Sequence, residues 1–177
     1  MAAGIVEQGD KVLLIDKHAA HERMNFDRMK AEGYDPMSQT LLAPAVCRLS
    51  PEEHAALTAR LPLLEEFGFA AEDFGGGSLI VRRAPFDVDP GDIEATLTEI
   101  ARKLLSTGSA DPTAARDELL HTMACKAAIK GGWRSSPQEL ERVARAVMSG
   151  QVRYCPHGRP VAIELTRGQL EKQFRRA

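Results

Sequence analysis

The sequence predicts an α+β fold with two subdomains, because two kinds of pattern alternate along it. Short apolar runs typical of strands lie between longer segments rich in helix-forming residues, and glycine-containing turns join some of those runs into hairpins. Residues 39–107 form a self-contained helix–hairpin–helix block. We therefore expect 39–107 to be an inserted subdomain, and 1–38 with 108–177 to form a sheet-and-helix subdomain from both ends of the chain.

The first elements are predicted to be a hairpin and a helix, in the order Ile5-Val6, the turn Gly9-Asp10, Lys11–Ile15, and a helix over 17–31. Asp16 lies where the N-cap of that helix belongs. Gly33 follows the helical pattern and is predicted to end it.

The inserted block begins with a predicted connector over 36–44. Its further elements are a helix over 51–66, a hairpin of 69–74 and 79–84, and a helix from Asp89-Pro90 to about 106. Ser50 and Glu53 have the spacing of a capping box around Pro51. Gly75-Gly76-Gly77 supplies the turn of the hairpin.

The last part follows a linker over 108–112, and its elements are a helix over 113–130, a helix over 137–149, a loop over 154–160, a strand over 161–165 and a short final helix. Ser136 and Glu139 form a second capping-box pattern with Pro137 between them. Thr166 and Gln169 are predicted to cap the final helix.

Composition narrows the class of protein. The chain has 177 residues, of which 44% are apolar and 27% charged, as in a globular protein with a real core. The net charge of −2 excludes a uniformly basic nucleic-acid coat, so a nucleic-acid partner would have to be attracted by local patches. Three cysteines and no secretory leader predict a cytoplasmic protein. Because Met1 leads almost directly into a strand, we expect a piece of a longer protein.

The first candidate site lies at the junction of the second strand and the first helix. His18 and Glu22 are four residues apart and so project from one helix face, toward which Asp16 can turn. Two carboxylates and an imidazole form a plausible metal site. The alternative is an N-capping Asp16 beside a surface His–Glu pair. Asp27 lies about 140° around the helix from Glu22, which favours a supporting role or a helix salt bridge.

The second candidate site is the run Tyr154–Pro160. In extended chain Cys155 and His157 face the same way and can bind one ion together, while Arg159 offers a planar fork suited to phosphate. The alternative is a tight turn with a buried cysteine and a structural histidine.

A third element is the helical run Ala124-Cys125-Lys126. Cys125 alone is typical of buried filler, but with Cys155 and His157 it completes a Cys/Cys/His set that suits Zn²⁺. Asp16 and Glu22 suit harder ions such as Mn²⁺ or Mg²⁺. Together these residues could support metal-assisted phosphodiester hydrolysis.

These motifs, in this order, resemble those of the MutL mismatch-repair family. The family pattern Asp-Gln-His-Ala, two residues, Glu, four residues, Glu is matched from Asp16 onward, with Lys17 replacing the Gln and Asp27 replacing the last Glu. Further matches are Ala124-Cys125-Lys126 to Ala-Cys-Arg/Lys, Cys155–Pro160 to Cys-Pro-His-Gly-Arg-Pro in full, and Phe174-Arg175-Arg176 to Phe-x-Arg.

The resemblance implies the C-terminal endonuclease and dimerisation region of a bacterial MutL-type protein. It implies nicking of duplex DNA with Mn²⁺ or Mg²⁺, zinc bound nearby, a homodimer built by 1–38 and 108–177, and an external regulatory subdomain over 39–107. The ATPase motifs of the family are absent, so the N-terminal ATPase region of the same protein is an expected partner. The implied roles are catalysis for Asp16, Glu22 and Arg159, metal binding for Asp16, His18, Glu22, Cys125, Cys155 and His157, and support or DNA contact for Asp27, Lys126, Phe174 and Arg176.

The run over 39–44 resembles the sliding-clamp-binding motif of bacterial MutL proteins. Gln39, Leu41, Leu42 and Pro44 would be the contacts, as an extended peptide with two apolar anchors suits a hydrophobic groove. The alternative is a linker whose leucines pack inward.

Two other functions remain open on sequence grounds. One is a non-catalytic dimerisation and clamp-docking module with a structural zinc. The other is a transcriptional regulator, which is disfavoured because the middle block lacks clustered Arg/Lys with base-reading Asn or Gln. No role is assigned to His21, His54 or His121.

Overall fold

A computed structural model describes residues 3–107, 111–131 and 136–175 of the chain. It confirms the α+β class, since those residues form two three-stranded antiparallel sheets and seven α-helices. The elements are β1 (Ala3–Gln8), β2 (Lys11–Asp16), α1 (Lys17–Glu32), β3 (Ser38–Arg48), α2 (Pro51–Thr58), α3 (Leu61–Glu66), β4 (Ala70–Gly75), β5 (Ser78–Pro85), a 3₁₀ turn (Pro90–Asp92), α4 (Ile93–Ser106), α5 (Pro112–Gly131), α6 (Pro137–Met148), β6 (Ala162–Thr166) and α7 (Arg167–Gln173). None of the helices in these ranges is both long and apolar enough to cross a membrane.

The chain divides into two compact units. The first combines Met1–Arg28 with Ala128–Ala177, and the second is Met29–Ala127. The second unit thus extends beyond the predicted insert of 39–107 at both ends. The assignment of one subdomain to dimerisation and of the other to regulation stays a prediction.

The sheet of the first unit has the strand order β1-β2-β6. The predicted N-terminal hairpin is confirmed, and Gly9 occupies its turn with φ +64°, a conformation that favours glycine. One face of the sheet packs on a core with α1, α6 and the loop before β6, and the buried members of that core are Ile15, Ala20, Val143, Ala146, Val152, Cys155 and Val161. This packing holds the end of β2 and the Tyr154–Pro160 loop in one cluster.

The opposite face of the same sheet is apolar and open. Ile5, Leu14 and Ile163 are paired across the three strands, and Leu14 alternates with Leu13 and Ile15, which pack toward the core. Ile5 is 73% exposed and Ile163 57% exposed. An apolar patch of this kind is typical of a protein interface.

The second unit contains a strand that sequence reasoning missed. The predicted connector over 36–44 is wrong, because β3 begins at Ser38 and pairs with β5 in a sheet of order β3-β5-β4. The predicted helix–hairpin–helix block is therefore a three-stranded sheet with helices. Pro44 is a sequence signal against a strand. It lies where the register shifts between Thr40 and Ala45, and an edge strand tolerates proline at such an irregularity.

The helix predicted over 51–66 is two helices, α2 and α3. Pro62 lies in the first turn of α3, where its missing N–H costs nothing, whereas inside one long helix it would remove a hydrogen bond and clash with the preceding turn. The predicted Gly33 stop agrees with the structure, in which α1 ends at Glu32 and Gly33 has φ +86°.

The three predicted serine and threonine caps differ in how completely they form. Ser50 and Glu53 form the full capping box, and so do Thr166 and Gln169. Ser136 Oγ accepts from the Glu139 N–H at 3.2 Å, but the Ser136 N–H does not donate to the Glu139 carboxylate in return. That carboxylate faces His21 instead, with Oε1 at 3.5 Å from Nε2.

Candidate metal centre

Asp16 joins β2 to α1 at the candidate site. Its Oδ1 accepts a hydrogen bond from the Ala19 N–H at 3.1 Å, so the N-cap predicted for it is present. Its own N–H donates to the Val161 carbonyl at 2.8 Å. Asp16 is therefore held between the first turn of α1 and the chain that follows the second motif.

The second motif forms a closed turn, as one of its two interpretations predicted. Cys155 N–H donates to the Arg159 carbonyl at 2.8 Å, and Gly158 N–H donates back to the Cys155 carbonyl at 2.9 Å. Tyr154 and Pro160 form a β-bridge that closes the loop. Gly158 has φ +79°, so the turn uses the backbone freedom of a glycine at this position. Cys155 is buried in the core, whereas His157 is exposed.

The two motifs meet through Glu22 and His157. Glu22 Oε1 lies 3.2 Å from His157 Nδ1. The Glu22 residue is only 5% exposed, so the interpretation of a surface His–Glu pair is wrong for this side chain. Residues from opposite ends of the chain thus bring a buried carboxylate and an imidazole into contact.

The geometry of this pair fits two ligands of one cation. Although Glu22 Oε1 is close to His157, the geometry does not qualify as a hydrogen bond, and the oxygen has no other hydrogen-bond partner among the described residues. Ligand atoms about 2.1 Å from a tetrahedral or octahedral ion are about 3.0–3.4 Å apart. His18 shares the helix face of Glu22, and their ligand atoms lie within 4.8 Å of each other. A divalent ion would fit between Glu22 and His157, whereas His18 does not form with these two a group of three ligand atoms that are all within 4.8 Å of one another.

Asp16 and Cys155 are not gathered in this way. Within the described part of this unit, Asp16 and Cys155 do not join Glu22 and His157 in a group of three ligand atoms that are all within 4.8 Å of one another. Cys125 is half-buried on α5 in the second unit. The inclusion of Asp16, Cys155 and Cys125 in one site stays a prediction.

The residues predicted to support the site or to contact DNA differ in what the structure shows for them. Asp27 accepts from Arg23 Nε at 2.9 Å, which is the helix salt bridge that was one of its two predicted roles. Lys126 Nζ lies 3.8 Å from Glu99 Oε2 in the second unit. Phe174 follows α7 and is 73% exposed. Arg176 lies outside the described residues.

His21 is a residue whose position the sequence did not reveal. It is 6% exposed, and burial, the leading cause, lowers the pKa of its imidazole below the usual range. Its Nε2 faces Glu139 of α6 at 3.5 Å without hydrogen-bond geometry. The only available signal was the adjacency of His21 to Glu22, which does not identify a partner on another helix.

The segment over 39–44 is part of β3 in the second unit. Leu42 is fully exposed, so the inward-packing interpretation is wrong for it, whereas Leu41 is half-buried. The Gln39 amide donates to the carbonyls of Pro85 at 3.4 Å and Val88 at 3.0 Å. The register shift between Thr40 and Ala45 leaves Leu42 outside the regular pairing with β5.

Comparison with known proteins identifies the relatives of this chain. Residues 3–135 match the model of the MutL C terminal dimerisation domain. The chain is 33% identical over 173 residues to the DNA mismatch repair protein MutL of Caldanaerobacter subterraneus subsp. tengcongensis, covering 97% of this chain and 29% of that protein. It is 37% identical to MutL of Acidiphilium cryptum (98% of this chain, 31% of that protein) and 40% identical to MutL of Anaeromyxobacter dehalogenans (95% and 28%). The chain thus spans about three-tenths of the length of these relatives.

Proposed function

This chain belongs to the MutL family, and we propose that it is a metal-dependent endonuclease that nicks duplex DNA during mismatch repair. The observation that carries the proposal is the 3.2 Å contact between Glu22 Oε1 and His157 Nδ1. A cap and a turn with only structural roles would not require a buried carboxylate from one motif to meet an imidazole from the other. The names of the relatives, DNA mismatch repair proteins, support the process in which the nicking takes place.

We assign the ligands by the chemistry of their donor atoms. Asp16 and Glu22 would hold Mn²⁺ or Mg²⁺, since carboxylates suit hard ions. The remaining nitrogen and sulfur donors would complete that site or a neighbouring Zn²⁺ site, and they are His18, Cys125, Cys155 and His157. When bound, such an ion polarises a phosphodiester and lowers the pKa of a bound water.

The residues of the chain position the reacting groups. The cap that Asp16 makes to Ala19 fixes its carboxylate at the end of β2. The burial of Glu22 keeps bulk water from competing at its carboxylate. Arg159 is exposed in the turn beside His157, and its guanidinium would bind the scissile or a neighbouring phosphate through two parallel hydrogen bonds.

Nicking of supercoiled plasmid in the presence of Mn²⁺ tests the proposal. We expect Asp16→Asn and Glu22→Gln to lower the rate by at least about 100-fold, as the loss of a metal ligand exceeds the 10- to 100-fold effect of losing a supporting group. Glu171→Gln is the matched control, because Glu171 is a carboxylate of the same unit that pairs with Arg167 and has no assigned role. If Glu22→Gln nicks as fast as Glu171→Gln, the assignment of Glu22 is wrong.

We propose that the chain forms a homodimer through the open face of its first sheet. The family model that it matches is a dimerisation domain, and Ile5 and Ile163 are exposed side by side with Leu14 on that face. A second copy would remove this apolar surface from water, which is the main driving force of stable association.

We also propose that the segment over 39–44 docks on the replicative sliding clamp. The supporting observation is the complete exposure of Leu42 at an irregular edge of β3, where it can enter a hydrophobic groove. The N-terminal ATPase region of the same protein is a further proposed partner, since the relatives are more than three times as long as this chain.

The competing proposal is a non-catalytic dimerisation and docking module with a structural zinc. The burial of Cys155 among the core residues of the first unit favours it, because buried cysteines commonly have structural roles. It predicts tightly held Zn²⁺ and no nicking by the wild-type chain with Mn²⁺, even when the clamp is present. The plasmid assay separates the two proposals.

A further inference from the structure

We propose that Lys17 and Arg142 form a binding site for backbone phosphates of duplex DNA beside the candidate metal centre. This inference rests on the proposed function, because it names the residues that hold the substrate of that site. Both residues lie in the first compact unit, Lys17 at the start of α1 and Arg142 on α6.

The His21–Glu139 contact joins the two helices that carry these cations. His21 Nε2 and Glu139 Oε1 are 3.5 Å apart, so these faces of α1 and α6 meet there. Lys17 precedes His21 by four residues and Arg142 follows Glu139 by three, which places each cation one turn from the contact on the same side of its helix. Lys17 is also the residue between Asp16 and His18, so it borders the metal ligands directly.

The packing of the same two helices supports this placement. Ala20 of α1 and Val143 of α6 are buried in one core. Lys17 lies three residues before Ala20 and Arg142 directly before Val143, and a ligand that reaches both cations needs negative charge.

Several other cations of this unit are already paired with a carboxylate. Lys11, Arg145 and Arg167 each form an ion pair with a glutamate at 2.6–2.8 Å. Lys17 and Arg142 have no ion pair with any carboxylate of the described residues within 4.0 Å. Arg142 is exposed and Lys17 half-exposed, so both can reach a ligand.

Duplex DNA is the partner of matching chemistry. A chain with a net charge of −2 gains no attraction from its overall charge, so binding must use local unpaired cations. Phosphates are spaced along both strands, and the guanidinium fork of Arg142 and the ammonium of Lys17 are the two side-chain types that bind them most often. Contacts to phosphates beside the cut would position the strand without reading its sequence.

The test measures DNA binding without cleavage. Fluorescence anisotropy of a labelled duplex is recorded in EDTA between 50 and 200 mM salt for the wild-type chain, Lys17→Gln and Arg142→Gln. Arg145→Gln is the matched control, because it removes the same charge from α6 at a residue that is paired with Glu141. For each phosphate that a variant no longer neutralises, the slope of log Kobs against log salt should become shallower by about 0.9, so the loss of affinity over this salt range shrinks by about 3.5-fold.

The conservative variants Lys17→Arg and Arg142→Lys should retain the wild-type slope, which separates the effect of charge from that of a disturbed structure. If Lys17→Gln and Arg142→Gln have the same slope as Arg145→Gln, or if the wild-type chain does not bind the duplex, the phosphate site is refuted. Altered slopes in a chain that never nicks plasmid would uphold this inference and refute the endonuclease proposal alone.

Discussion

Replacing Gly158 tests whether the conformation of the Tyr154–Pro160 turn controls metal binding. Gly158 has φ +79°, and a Cβ built on it meets no atom within 4 Å. Gly158→Ala therefore adds no steric clash, and its cost is the backbone strain of an L-residue in this region, about 1–2 kcal/mol. The turn is bounded by two backbone hydrogen bonds and is exposed around this residue, so the metal-free protein can relieve the strain locally.

Metal binding through His157 would restore the strained turn, so the strain should appear as lost affinity. A cost of about 1–2 kcal/mol corresponds to a reduction of about 5- to 30-fold. We expect Gly158→Asn to lose less, because asparagine tolerates positive φ better than alanine does. The affinity for Zn²⁺ and Mn²⁺ is measured by competition with a chromophoric chelator, together with thermal unfolding of each variant.

Gly168→Ala is the matched control for that series. Its Cβ also enters open space, but Gly168 lies in α7 without a positive φ, so alanine there should leave metal affinity unchanged. If Gly158→Ala binds both ions as tightly as Gly168→Ala, the conformation of the turn does not control the site, and the role assigned to His157 is wrong.

Two further predictions concern the proposed interfaces. Ile163→Lys places a charge on the open sheet face beside Leu14 and should convert a dimer into monomers in analytical ultracentrifugation, whereas Lys172→Gln should not. A dimer that survives Ile163→Lys must use another face. Leu42→Ala removes a fully exposed leucine and should weaken binding to a sliding clamp at least about 10-fold in surface plasmon resonance, without changing thermal stability. Val46→Ala on the same strand should bind normally, and equal losses in both variants would refute the docking role of Leu42.

Local signals were sufficient for most of the fold. The Gly9 turn, the Ser50 box and the Thr166 box each act through neighbouring residues, and all three are present. β3 was missed because its pairing with β5 depends on residues far along the chain, while Pro44 is a local signal against a strand. Local propensity predicts only the structure that a segment favours by itself, and the pairing of β3 with β5 outweighs it here.

In the candidate site, too, local features were predicted and a tertiary contact was not. The cap by Asp16 and the turn around Gly158 follow from residues a few positions apart, and both were predicted. The pairing of His21 with Glu139 could not be predicted, because the capping-box pattern of Ser136 assigned that carboxylate to a local bond. A side chain with a local partner and a tertiary partner of similar strength cannot be placed from its own helix alone.

The burial of Glu22 is the clearest physical reason to expect a cation at this site. A carboxylate with 5% exposure loses most of its hydration, which costs several kcal/mol unless a cation or hydrogen bonds compensate. His157 Nδ1 lies 3.2 Å from its Oε1, without the geometry of a hydrogen bond. Glutamine at this position would avoid the cost and keep the shape, so stability alone does not favour a glutamate. A function that needs negative charge does, and a divalent ion shared with His157 would both offset the cost and supply the chemistry of phosphodiester hydrolysis.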